Sequence, residues 1–257
     1  MKIEYAHRLN FLLRAMGLRE TSGRAYRYLF SHIWGIDFFN RPLIMCLRNF
    51  GKTLNCQTYI DIGAHKGNVA RVVADYFQRC MLVEPLPSNF ESLSGLVKMG
   101  KLKNCEIFPF ALDEKMSSGP VSLYISNEND GDNSIYPRAD LTEGPMTYTT
   151  TLDFLIEKSQ SKPPFLIKID VQGNELHVFK GGASTLQREC VIVSEFWPWG
   201  LRKCGSDTFQ LIEFLKSRGY IGRSLDGRII SENHIERIIA FGESSPYIFT
   251  DMLFLKM

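Results

Sequence analysis

One stretch of this chain constrains its fold more than any other: the apolar run with Asp61 near its end, which breaks into Gly63-Ala64-His65-Lys66-Gly67 and continues as an amphipathic segment to Phe77. That pattern is a strand, a tight turn and a helix N-terminus. Glycine allows positive φ and close approach of the backbone, and the free N–H groups of a starting helix favour polar or anionic partners. A second short strand, Met81 to Glu84, ends in an acid beyond Gly67. In a βαβ unit such an acid lies beside the glycine turn and can accept both hydroxyls of a ribose. The unit points to an adenosine-containing cofactor. The bland alternative is that the two glycines only shape the turn.

The turn also limits which cofactor. Dinucleotide binding wants G-x-G-x-x-G, whereas Ala64 and His65 stand here between Gly63 and Gly67, and no G-x-x-x-x-G-K-[ST] loop occurs. A nicotinamide oxidoreductase is therefore disfavoured. A phosphate-free ligand, S-adenosylmethionine, suits the turn.

From Thr58 onward strands and helices alternate, with strands expected at Tyr59 to Ile62, Met81 to Glu84, Glu106 to Phe110, Phe165 to Asp170, Cys190 to Glu195, Tyr220 to Ser224 and Asp251 to Lys256. Helices are expected at Asn68 to Phe77, Pro87 to Gly100, Leu152 to Ser159, Asn174 to Lys180 and Thr208 to Arg218. Such alternation calls for a mainly parallel sheet covered on both faces. Between about 121 and 151 the pattern changes to two short strands around a long polar stretch, read as a substrate loop or lid. The domain is placed at 58–257. Residues 1–57 are read as a helical extension, from apolar residues at helical spacing between Tyr5 and Met16 and between Tyr26 and Ile33. It could cap a pocket, complete the core or support a homodimer.

Met1 to Phe50 holds eight Lys or Arg against three Asp or Glu, while the rest of the chain is mildly acidic. The basic excess is read chiefly as the solvated face of packed helices, and an acidic body offers little attraction for nucleic acid. Six cysteines without a C-x-x-C pair fit free thiols in a reducing compartment. The early apolar residues are interrupted by Arg8 and Arg14, so no signal peptide or membrane span is expected, and the location is read as cytoplasmic.

Two further strands end in acids. Asp170 closes an apolar strand and precedes Val171-Gln172-Gly173, and Glu195 closes another and runs into Phe196-Trp197-Pro198-Trp199. Ligands of open α/β sheets bind beyond the carboxyl ends of the strands, which puts both acids on the functional rim. Asp170, Glu195 and His177 are the candidate catalytic residues, for removing a proton from a hydroxyl; Asp170 alternatively caps the next helix. Asp170 and Glu195 are also candidate ligands for Mg²⁺ or another divalent ion, without metal-specific spacing to support them. Trp197 and Trp199 read equally as a sugar platform or as core plugs. Asp132 and Asn133 of the polar loop, with Glu175, complete the candidate substrate-binding set.

In order along the chain, DIGAHKGNVA, VEPLPSNFESL, PFAL, TTLDFL, IKIDVQGNELHVFKGG, VIVSEF and DMLFLKM resemble the FkbM family of methyltransferases. The resemblance runs from Thr58 to the end, and IKIDVQGNELHVFKGG is its most specific part. It implies a Rossmann-like class I methyltransferase fold with a seven-stranded sheet and S-adenosylmethionine-dependent O-methylation of sugars, glycolipids, polyketides and related natural products. It further implies that Asp61, Gly63, Ala64 and Gly67 flank the methionine part of the cofactor. Glu84 would flank the ribose, Phe110 and Ala111 the adenine, and Asp170 the reacting methyl; His65 and Pro85 complete the candidate cofactor-binding set. Family members usually carry V-E-G where this chain has Val171-Gln172-Gly173, and often Asn in place of His65. Loss of that acid keeps a second reading open, a scaffold that binds the cofactor without catalysis. Base methylases commonly place a [DN]-P-P-[FY] turn where this chain has Asp170-Val171-Gln172-Gly173, so a small-molecule or glycan acceptor is preferred to nucleic acid.

Overall fold

The computed structural model describes residues 37–53, 57–127 and 129–256. The chain divides into two units, Met1–Pro42 and Leu43–Met257. Of the first unit only residues 37–42 are described, as the start of helix α1 (Asp37–Thr53). The helices expected between Tyr5 and Ile33, and the dimerisation role given to them, lie outside the described residues.

The second unit is built on a seven-stranded sheet of β1 (Thr58–Ile62), β2 (Arg79–Val83), β3 (Cys105–Phe108), β8 (Phe165–Ile169), β9 (Cys190–Phe196), β10 (Tyr220–Arg223) and β11 (Thr250–Lys256). Its order is β10-β11-β9-β8-β1-β2-β3. The strands from β9 to β3 pair in parallel, while β11 inserts antiparallel between β9 and β10. This is the class I methyltransferase topology, with its order reversal between β1 and β8. Parallel strands covered on both faces have no exposed side, which is why TYIDI and FLIKI are buried at every position, the charged Asp61 and Lys168 included.

Two packed layers cover the sheet. One face buries Ile60, Ile62, Met81, Val83, Ile167, Ile169 and Ile192 against α4 (Leu152–Ser159), α5 (Glu175–Gly181), α7 (Thr208–Lys216) and α8 (Glu232–Gly242). The other buries Tyr59, Leu82, Leu166 and Val193 against α1, α2 (Ala70–Val73, continued as a 3₁₀ turn to Tyr76) and α3 (Pro87–Lys98). Each such aliphatic side chain contributes about 1.5–3 kcal/mol of burial free energy.

Helix starts follow local chemistry. Thr151 accepts the Phe154 N–H at the head of α4, Asp207 accepts those of Phe209 and Gln210 at α7, and Pro87 opens α3. Two helices lie outside the expected set: α8, and α6 (Pro198–Lys203), which starts at the tryptophan pair.

The insertion forms a hairpin of β5 (Val121–Ile125) and β6 (Thr142–Thr147), with β4 (Ala111–Leu112) pairing separately with β7 (Thr149–Thr150). Among the described residues the cysteines are free thiols, and no helix is long and apolar enough to cross a membrane.

Candidate active site

The site starts with the turn after β1. Gly63, His65 and Gly67 all take positive φ, at 82°, 52° and 77°. The N–H groups of Gly63 and Ala64 both donate to the Val83 carbonyl, folding the turn over the end of β2. A Cβ on Gly63 would stand 1.9 Å from the Asp170 carbonyl oxygen, so glycine is obligatory where the β1 and β8 turns meet.

Glu84 is buried directly after β2. Its Oε2 accepts the His65 N–H at 2.8 Å, and its Oε1 accepts Leu86 N–H at 3.0 Å and Asn89 Nδ2 at 3.4 Å. Burial raises its pKa, against the pull of the Leu86 and His65 N–H groups. Pro85 follows, leading the chain into α3. Half-buried Phe110 lies beside Phe108 at the end of β3, and buried Ala111 begins β4.

Across the rim runs a chain of charges that the sequence did not reveal. Asp61 on β1 and Lys168 on β8 are register partners, and Lys168 Nζ lies 3.0 Å from Asp61 Oδ1 and 3.7 Å from Asp170 Oδ2. The other oxygen of Asp170, Oδ1, accepts Gln172 Nε2 at 2.7 Å, and the same nitrogen donates to Glu195 Oε2 at 3.0 Å. Asp251 on β11 is the register partner of Glu195. The order is therefore Asp61, Lys168, Asp170, Gln172, Glu195, each acid next to a donor.

Burial presses the Lys168 pKa down, but Asp61 and Asp170 outweigh it and the net shift is upward. Burial raises Asp61, opposed by Lys168. Glu195 is driven well above the carboxylate range by burial and by Asp170, Glu175 and Asp251. The Tyr59 hydroxyl, buried on the same strand, also bears on Asp61 and opposes the rise there.

Lys168, Gln172 and Asp251 were all passed over as site residues. Lys168 left a signal, a cation inside the apolar run FLIKI, which requires a buried acid opposite, and Gln172 stood out as the departure from V-E-G.

Other predicted residues lie elsewhere. Glu175 is fully buried, and its Oε1 accepts the N–H groups of Val171 and Gly173 at 3.2 Å each, which shapes the turn bearing Gln172. Burial raises its pKa to about 7 against those bonds. His177 pairs with Asn174 Oδ1 at 2.8 Å and stacks on Tyr136, and burial lowers its pKa.

The two tryptophans support the inserted loop. Trp197 is buried and donates to the Pro246 carbonyl, and Arg138 lies over both rings, at 5.2 Å from that of Trp197 and 5.5 Å from that of Trp199. Asp132 pairs with Arg138 at 2.8 Å, and Asn133 bonds Ser126 N–H and the Asp130 carbonyl, so both serve the loop's own architecture. Their loop neighbour Asp130 reaches the glycine turn instead: it pairs with Lys66 and lies 3.6 Å from His65 Nε2. Among the described residues no group of three or more His, Cys, Asp or Glu is arranged to hold a metal ion. Gln172 places an N–H donor between the two acids considered as ligands.

Residues 61–221 match the family model described as the methyltransferase FkbM domain. Three solved structures are similar. Methyltransferase FkbM from Methylobacillus flagellatus KT is 13% identical, with 77% of this chain and 43% of that one covered and a TM-score of 0.46. The chain thus spans less than half the length of that protein. The O-methyltransferase TomG from Streptomyces achromogenes, involved in tomaymycin synthesis and solved with S-adenosylmethionine, is 12% identical, with coverage of 84% and 80% and a TM-score of 0.47. An O-methyltransferase from Bacillus cereus, in complex with the demethylated cofactor, is 12% identical, with coverage of 81% and 77% and a TM-score of 0.45. No curated protein matches the chain.

Proposed function

The chain belongs to the FkbM methyltransferase family, and from that premise we propose that it methylates a hydroxyl group of a sugar, glycolipid or polyketide-type acceptor, with Asp170 taking the proton. The observation that carries this reading is the placement of Asp170. It stands at the carboxyl rim beside the order reversal, half-buried, with one oxygen toward Lys168 and the other on Gln172.

The residues around the glycine turn fit S-adenosylmethionine. Three protein donors occupy Glu84, and a carboxylate offers roughly four acceptor positions, which leaves room for a ribose hydroxyl. When bound, the cofactor supplies an electrophilic methyl group on a good leaving group.

The chain's own part is alignment, exclusion of water and proton removal. Gly63, Ala64, His65 and Gly67 bring backbone to the methionine part, and Glu84 and Pro85 border the ribose. Phe110 and Ala111 border the adenine. The inserted loop, held to the turn by Asp130, shields the reacting groups. Asp170 precedes His177 as the base because His177 is engaged with Asn174 and Tyr136. Glu195 is the neighbouring acid that shares the Gln172 amide with it.

The test is methyl transfer from labelled S-adenosylmethionine to a panel of hydroxylated acceptors, with Asp170→Ala in parallel. Turnover should be lost in the variant while calorimetry with the demethylated cofactor changes by less than about tenfold. Unchanged turnover removes the role of Asp170. Cofactor binding without product on any acceptor favours a scaffold.

A further inference from the structure

Gln172 occupies the tip of the turn after β8 in left-handed backbone, with φ of 58°. The backbone there is pinned from two sides. Glu175 accepts the flanking Val171 and Gly173 N–H groups, and the Cys204 thiol lies 3.6 Å from the Gln172 carbonyl oxygen. A Cβ on Gly173 would come within 2.4 Å of the Gly200 carbonyl oxygen, so α6 packs tightly against the turn. A side chain on so fixed a stem is aimed, and its amide nitrogen reaches carboxylates from two adjacent strands, at 2.7 and 3.0 Å.

Carboxylates brought this close repel unless a positive group lies between them, whether a proton, a metal ion or N–H donors. Lys168 acts on Glu195 only through space, because its ammonium is bonded to Asp61 and faces the far oxygen of Asp170. An amide NH₂ carries two donors, and here the two acids use them.

Resting on the reading of Asp170 as the base, we propose that Gln172 is a positioning residue that takes the place of a bridging cation between Asp170 and Glu195, so that the side chain at this position decides whether the pair holds a divalent ion. With an acid at 172, three carboxylates would converge where one nitrogen now serves two, and hard cations are held by such oxygen sets.

The experiment is titration of the full chain with Mn²⁺ alone, followed by electron paramagnetic resonance and by thermal melting. Wild type, Gln172→Glu and the exchanged variant Gln172→Glu/Glu195→Gln are compared. Gln172→Glu should bind one Mn²⁺ at least tenfold more tightly than wild type, melt lower than wild type in chelator, and regain that loss with Mn²⁺. The exchanged variant returns an amide to the cluster, and it should melt near wild type without Mn²⁺ and bind the ion no better.

Equal Mn²⁺ affinity in wild type and Gln172→Glu, or no gain in the latter, overturns the proposal. If Gln172→Glu does not fold, the exchanged variant decides: folding supports the proposal and failure to fold overturns it. Calorimetry of wild type with the demethylated cofactor is a separate measurement. Its failure would refute the functional reading and leave the Mn²⁺ comparison interpretable.

Discussion

The ammonium of Lys168 lies 3.0 Å from the carboxylate of Asp61, its register partner on the adjacent strand, and both side chains are buried. A buried ion pair of this kind stabilises a fold less than it threatens it, since removing one partner leaves the other charge uncompensated.

Lys168→Met should therefore destabilise the protein by about 3–5 kcal/mol, with Lys168→Arg recovering part of the loss. Urea denaturation measures both. A methionine variant as stable as wild type would show that Asp61 does not depend on the ammonium.

Glu84→Ala should weaken binding of the demethylated cofactor by at least tenfold, about 1.4 kcal/mol, because the ribose loses its acceptor. The same change frees the His65 and Leu86 N–H groups, so the thermal midpoint should be recorded alongside. An unaltered calorimetric affinity would sink the ribose assignment.

Glu175 makes stability depend on pH in a definite direction. Its folded pKa of about 7 lies above the ordinary value of 4.5, so between the two the folded state holds a proton that the unfolded state has released. Its contribution is complete below the ordinary value and is lost as pH rises through 7, a swing of roughly 3 kcal/mol. Glu175→Gln keeps a carbonyl for Val171 and Gly173 and removes the titration. Melting curves from pH 5 to 8 should fall for wild type relative to the variant; parallel curves would exclude this role.

Asp130→Asn should loosen the inserted loop from the glycine turn, since Lys66 holds the Asp130 pKa below the ordinary carboxylate value through their hydrogen bond. Exposed ion pairs are worth only about 0.2–1 kcal/mol. The overall melt should scarcely move, whereas limited proteolysis within the loop should quicken. Identical cleavage rates would mean that the hairpin alone holds the loop in place.

The strands of the main sheet were legible because buried parallel strands leave unbroken apolar runs, and their terminal acids marked the rim. Helix α8 carries Ile235, Ile238 and Ile239 at helical spacing and could have been read from them. The aromatic run at Trp197 hid α6, although Pro198 stands at the first helical position. Strand β6 starts at Thr142, earlier than the apolar pattern suggested, since Gly144 and Pro145 read as a turn. A hairpin edge accommodates such a proline.

The site was legible one strand end at a time and no further. Asp61 and Lys168 are 107 residues apart, and Gln172 and Glu195 are 23 apart. Their union depends on strand register and on a left-handed backbone at Gln172, and neither is written in local pattern. The tryptophans were ambiguous for a similar reason, because Arg138, the residue lying on both rings, arrives from the inserted loop.

The gap between Gly63 and the Asp170 carbonyl is too narrow for a methyl group. The turns after β1 and β8 therefore cannot be exchanged between relatives as separate cassettes. A chimera that imports one turn must import its counterpart, and a library that varies the β8 turn should do so only in company with the residues that face it across that gap.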